Sequence, residues 1–200
     1  MFNSLVYILI SSVLVNNYVL KQTLGICPFL GVSKKINQAV GMGISVTIVM
    51  VIASAATWPI QTFLLDTLGL GYMQTVVFIL VIASLVQMIE IFLKKMIPSL
   101  HKGLGVYLPL ITTNCAVLAI AQANISEKYG FVESVVSGLA CGLGFMLAML
   151  LFSGIRQRID ETSIPKPFRG VVCTLIAASF LALAFIGFDG INDTLKEVLK

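Results

Sequence analysis

The sequence predicts an all-α membrane protein with about six transmembrane helices, forming a single integral membrane domain over residues 1–200. Three observations carry this. Apolar residues fall in runs of roughly 20, the length that crosses the hydrocarbon of a bilayer. Only 11% of residues are charged against 58% hydrophobic, and mean hydropathy is +1.00. Soluble domains carry about a quarter charged residues, so no water-facing surface can be built here. The basic residues fall almost wholly in the short connections. With a net charge of only +4, their placement reads as membrane topology and not as a nucleic-acid surface.

The first span is expected over about residues 2–20. It has no basic n-region, its first basic residue being Lys21, and no clear small-x-small cleavage site, so it reads as a retained helix and not a signal peptide. The second, about 39–60, is expected to stop at Trp58-Pro59, an aromatic anchor followed by a helix breaker. The third covers about 72–93 and closes on Lys94-Lys95; the fourth covers about 104–123, interrupted near Pro109 and Thr112-Thr113-Asn114. The fifth and sixth cover about 131–155 and 170–188, before a mixed tail from 189 to 200.

Connections after the odd-numbered spans hold Lys21, Lys34, Lys35, Lys94, Lys95, Lys102, Arg156, Arg158, Lys166 and Arg169, ten of the 13 basic residues. The opposite side holds Lys128, Lys196 and Lys200. The positive-inside rule then puts both termini outside the cytoplasm. Six spans divide into halves of about 1–95 and 96–190. An odd number of spans in each half puts the halves in opposite orientation, the arrangement of inverted-repeat membrane proteins. Val15-Asn16-Asn17-Tyr18-Val19-Leu20 and Thr113-Asn114-Cys115-Ala116-Val117-Leu118 are the segments that match between them.

Two interruptions, in helices 1 and 4, carry the residues with chemistry. In Leu24-Gly25-Ile26-Cys27-Pro28-Phe29-Leu30-Gly31, glycine and proline are expected to break the helix. Cys27 is either a thiolate presented at a protein interface or a small hydrophobe in an ordinary loop; taken alone, these residues favour the loop. In Tyr107-Leu108-Pro109-Leu110-Ile111-Thr112-Thr113-Asn114-Cys115, polar groups at membrane depth need partners. A broken helix there aims backbone N–H groups at one point and suits an anion or a negatively charged cluster. The plainer account is a proline kink with back-bonded threonines.

Of the four cysteines, none forms a CxxC pair. Two thiolates are half the usual ligand set of an iron–sulfur cluster. Cys141, within Ser137-Gly138-Leu139-Ala140-Cys141-Gly142-Leu143-Gly144, sits on a small-residue face suited to close helix packing, and Cys173 lies in an unbroken span. Glu90 has Lys94 at i+4 and reads as a surface ion pair. Asn16 and Asn17 either line a pathway or pair between helices. His101 reads as solvated, and Ser163-Ile164-Pro165-Lys166-Pro167-Phe168-Arg169-Gly170 as a rigid docking loop.

The two cysteine segments, together with Val15-Asn16-Asn17 and Pro167-Phe168-Arg169-Gly170, resemble the RnfA/NqrE family over essentially the whole chain. These are membrane subunits of the bacterial Rnf complex and of the sodium-pumping NADH:quinone oxidoreductase. The resemblance implies a subunit of a ferredoxin:NAD oxidoreductase in the bacterial cytoplasmic (inner) membrane that moves Na⁺ or H⁺. It also implies a [2Fe–2S] cluster shared with a homologous, inverted RnfE-like subunit. Cys27 and Cys115 would be this chain's two ligands, against the loop reading of Cys27, with Thr113 and Asn114 as candidate hydrogen-bond donors around them. Catalysis would belong to the assembly, and reduction at low dielectric would draw a cation toward the cluster. The competing reading is a small secondary transporter with an inverted-repeat fold, which has no need of thiols on both breaks.

Overall fold

The computed structural model describes residues 2–33, 36–65, 69, 71–96, 110–111, 113–160 and 170–187. Among these the protein is all-helical. Helix α1 (Phe2–Ile10) widens into a π-helical turn, Ser11–Val15, and ends at Asn16. After an irregular stretch come α2 (Ile26–Val32) and α3 (Ile36–Ile60), the latter continued by a π-helical turn, Gln61–Leu65. A 3-10 turn, Gly71–Met73, leads into α4 (Gln74–Met96). Helices α5 (Cys115–Ser126), α6 (Phe131–Asp160) and α7 (Val171–Ile186) follow.

Among the described residues three helical stretches, Ile36–Leu65, Gly71–Ile91 and Phe131–Ile159, are long and apolar enough to cross a membrane. The apolar helices α5 and α7 are shorter, at 12 and 16 residues. At 1.5 Å per residue α5 covers about 18 Å, too little for about 30 Å of hydrocarbon. The expected first half of the fourth span, 104–109, lies outside the described residues. So do Lys34, Lys35, His101, Lys102, Thr112, the 161–169 connection, the tail from 188, and the side chain of Lys94.

The core is an antiparallel pair, α3 against α6, drawn together by glycine. A β-carbon on Gly43 would lie 2.7 Å from Met146 Cγ, one on Gly142 2.7 Å from Thr47 Cα, and one on Gly138 2.6 Å from Ser54 Oγ. Contact positions rise along α3 as they fall along α6, which sets the antiparallel sense. Without a hydrophobic drive between helices in lipid, such close backbone approach supplies the dispersion contacts that hold them. Cys141 lies in this packed face, 3% exposed, as its small-residue context leads one to expect. Hydroxyls on these helices bond back to the preceding turn, Thr47 to the Gly43 carbonyl and Thr57 to the Ala53 carbonyl, so neither is stranded in apolar surroundings. On α4 and α7 large apolar side chains such as Leu80, Ile91, Phe180 and Leu183 point outward.

Two expectations are corrected. Pro59 does not stop its helix: α3 runs through it and into the π turn. Proline removes one N–H and crowds the carbonyl four residues back, a local cost that this helix bears without ending. Trp58 is held in place, its Nε1 donating to the Tyr129 carbonyl at 2.9 Å and its ring packing edge-on against Phe131. Nor do Pro28 and Gly31 break the first segment. Both lie inside α2, where Pro28 occupies the first turn and its missing N–H has no helical partner to lose. The true break runs from Asn16 to Gly25.

Candidate functional site

The break begins where Asn17 closes off the π turn. The Asn17 Oδ1 accepts from the Val19 and Leu20 amides at 3.0 and 3.4 Å, while its Nδ2 donates to the Gly144 carbonyl on α6 at 2.8 Å. Only 1% of Asn17 is exposed, and the side chain fastens the end of α1 to the core. Asn16 bonds to Ser11 Oγ and accepts from Lys21 Nζ. Both asparagines therefore have structural partners. The break ends at Gly25, whose φ of +79° is left-handed, a conformation that favours glycine.

Gly25 is also where the two breaks meet. A β-carbon there would lie 3.1 Å from Asn114 Oδ1, 3.1 Å from Phe145 Cε2 and 3.5 Å from Ala116 Cβ. Asn114 caps α5, its Oδ1 accepting from the Ala116 amide at 3.0 Å. Asparagine competes for backbone donors in this way and so favours a helix start. Cys27 stands two residues beyond Gly25, in the first turn of α2, and Cys115 one residue beyond Asn114, at the first position of α5. Both cysteines are exposed.

The rest of α2 is tied to α6. Phe29 stacks on Phe152 with ring centroids 4.0 Å apart. Arg156 Nη1 donates to the Leu30 carbonyl at 2.7 Å and to Ser33 Oγ at 2.8 Å. The guanidinium thus holds the carbonyl end of the helix, where positive charge is favourable.

The structure brings Gly25 and Asn114, the near neighbours of Cys27 and Cys115 in sequence, together from segments far apart in the chain. Thr113 is exposed, whereas Asn114 is buried and its Nδ2 has no hydrogen-bond partner among the described residues. A buried amide lacking an acceptor is costly, and a negatively charged group beside it would supply one. Cys141 belongs to the core, and Cys173 is half-buried on α7 beside an apolar groove lined by Ile155, Ile159 and Ile176. Among the described residues no three His, Cys, Asp or Glu side chains gather where they could hold a metal ion. Gly25 and Arg156 emerge as positioning residues only from the structure; a lone glycine before a cysteine and an arginine at a helix end carry no distinctive local signal.

Residues 5–192 match the family described as Rnf-Nqr subunit, membrane protein. The chain is 53% identical over 189 residues to the A-type subunit of the Na(+)-translocating ferredoxin:NAD(+) oxidoreductase complex of Acetobacterium woodii, covering 94% of this chain and 98% of that one. It is 53% identical over 188 residues to the A-type subunit of the ion-translocating oxidoreductase complex of Syntrophotalea carbinolica, covering 94% and 97%. Against the corresponding protein of Aliivibrio fischeri the identity is 47% over 184 residues, covering 92% and 95%. This chain belongs to the Rnf-Nqr family of membrane subunits of ion-translocating oxidoreductase complexes.

Proposed function

We propose that the chain is the A-type membrane component of an ion-translocating ferredoxin:NAD oxidoreductase in the bacterial cytoplasmic membrane. In this reading Cys27 and Cys115 provide half the ligands of a [2Fe–2S] cluster, and a homologous RnfE-like subunit of opposite orientation provides the rest. One observation carries it: Gly25 and Asn114 touch, and each is followed within two residues by an exposed cysteine.

The donor set fits half of such a group. Two thiolates are half of the usual four, and their exposure leaves a second protein surface free to bring the others. The helix starts of α2 and α5 direct backbone N–H groups toward the same region, where negative charge is favourable. Asn114 Nδ2 is a further donor whose own bonding is incomplete. Phe145 and Ala116, each 1% exposed and both against Gly25, floor the site with apolar atoms, so the dipoles above them act at low dielectric. When bound, the [2Fe–2S] group supplies a one-electron carrier inside the membrane. This chain's residues hold and orient it: Asn114 fixes the start of α5, Gly25 permits the close approach, and Arg156 and Phe152 fasten α2. In the complex the halves 1–95 and 96–190 act as inverted repeats, with α2, α3 and α4 answering to α5, α6 and α7. Each set opens with a short helix bearing a cysteine in its first turn. Asn16 and Asn17 then have no counterpart in Thr113 and Asn114, because the former follow a helix end and the latter precede a helix start.

Iron content and EPR of the purified complex, with Cys27→Ala or Cys115→Ala, test the reading. Loss of the [2Fe–2S] signal from an assembled complex in both variants is expected. Retention in both would overturn the ligand assignment.

A further inference from the structure

At the end of α5 away from Cys115 lies a cavity of about 340 Å³. Ten of its twelve lining residues are polar, which is unusual for a chain of this hydropathy and suits the space to water. Ser11 lines it from the π-helical turn, Asn16 and Tyr18 from the first break, and Asn124, Glu127 and Tyr129 from the end of α5 and the connection to α6. At about 30 Å³ per molecule it has room for roughly ten waters.

Its electrostatics favour a cation. The carbonyl end of α5 lies at it; the Ala123, Asn124 and Ile125 carbonyls accept from the Glu127, Tyr129 and Lys128 amides, and the helix dipole leaves partial negative charge at that end. Glu127 adds a full negative charge from an exposed position. Asn124 is 3% exposed; its Nδ2 donates to the Ser134 carbonyl at 3.3 Å and to Ser54 Oγ at 3.4 Å, and its Oδ1 receives no donor among the described residues. A buried carbonyl oxygen in that condition lacks a positive partner. Two exposed lysines stand near the rim: Lys21, whose Nζ reaches Asn16 Oδ1 at 3.2 Å, and Lys128, between the lining residues Glu127 and Tyr129. Apart from the asparagine and glutamine amides, the polar lining atoms of the side chains are oxygens, the donor type that hard cations take. A single carboxylate among neutral oxygens balances a single positive charge.

We propose that this cavity binds one hydrated monovalent cation, held by the Glu127 carboxylate and Asn124 Oδ1 at the negative end of α5. The inference rests on the ion-translocating reading above and names where in this chain the ion resides. Helix α5 then joins the two sites, with Cys115 at one end and the cation about 18 Å away at the other.

Binding of radioactive sodium to the intact complex in lipid nanodiscs, without turnover, tests this. Glu127→Gln is expected to weaken sodium binding about fivefold or more. Asn124→Leu is expected to remove one bound sodium per complex. The [2Fe–2S] EPR signal should stay unchanged in both. If Asn124→Leu does not assemble, Glu127→Gln decides, since an exposed side chain is replaced by its isostere. Unchanged sodium affinity and stoichiometry in assembled Glu127→Gln would overturn the proposal, as would a wild-type complex that binds no sodium. The cluster assignment fails separately: its signal would persist in the cysteine variants whatever the sodium result.

Discussion

Gly25 and Asn114 lie against each other across two interrupted segments, so close that a β-carbon on Gly25 would stand 3.1 Å from Asn114 Oδ1. That contact brings the helix starts bearing Cys27 and Cys115 to one place. It requires glycine twice over, for the space and for the left-handed φ of +79°.

Gly25→Ala therefore strains the backbone by about 1–2 kcal/mol and presses on Asn114 and Phe145 as well. The expected result is a lower melting temperature of the complex and a reduced yield of the [2Fe–2S] EPR signal per subunit. A variant with wild-type melting and full signal would show that the contact does not hold the site.

Arg156→Met removes both hydrogen bonds from α6 to the end of α2 while keeping most of the side chain's packing. The loss should be about 1–3 kcal/mol, as for hydrogen bonds made by a charged group. Hydrogen exchange over residues 26–33 should accelerate in the variant. Ser33→Ala, which loses one bond and leaves the Leu30 carbonyl paired, should show a smaller effect.

Glycines on α6 should differ sharply. Gly142→Leu drives a side chain into the Thr47 backbone, where even a β-carbon would be 2.7 Å from Cα, and should abolish assembly. At Gly154 an added β-carbon meets nothing within 4 Å. Gly154→Ala should raise stability by up to about 1 kcal/mol through helix propensity alone. Expression and thermal melting of the two variants side by side check the contrast.

Tyr129, in the connection between α5 and α6, has its phenol pKa raised above the ordinary 10, first by burial and then by the charge of Glu127. The folded state therefore holds its proton to higher pH than the unfolded state does. The contribution is fully present below pH 10 and is lost as pH rises through the folded value. Alkaline unfolding of Tyr129→Phe should begin at a higher pH than that of wild type. Glu127→Gln should bring the Tyr129 phenolate signal, followed by ultraviolet absorbance, to lower pH.

Much of the helical pattern was legible in the residue order. Long apolar runs located α3, α4 and α6, and Gly138, Cys141 and Gly142 were recognisable as a packing face because small residues at that spacing admit a second backbone. The cysteines drew notice because each lies among residues that disturb a helix. Pro28 and Pro59 were misjudged, since proline's cost depends on its setting: Pro28 in a first turn loses nothing, and Pro59 costs one bond in a helix long enough to continue past it.

What stayed hidden is which distant segments meet. In a soluble helix a polar face marks the outside, but here lipid and core are both apolar, so hydropathy scarcely distinguishes the faces of α3 or α6. The polar cavity escaped notice for the same reason. Ser11, Tyr18, Asn124 and Glu127 are scattered along the sequence, and only the packing of α1 and its π turn against α6, which also carries the end of α5, gathers them. Local chemistry in the residue order settled that this chain is helical and apolar, with cysteines at its disturbed segments. The contact of Gly25 with Asn114, and the space at the far end of α5, depend on sterics between residues remote in the chain, and only the tertiary structure decided them.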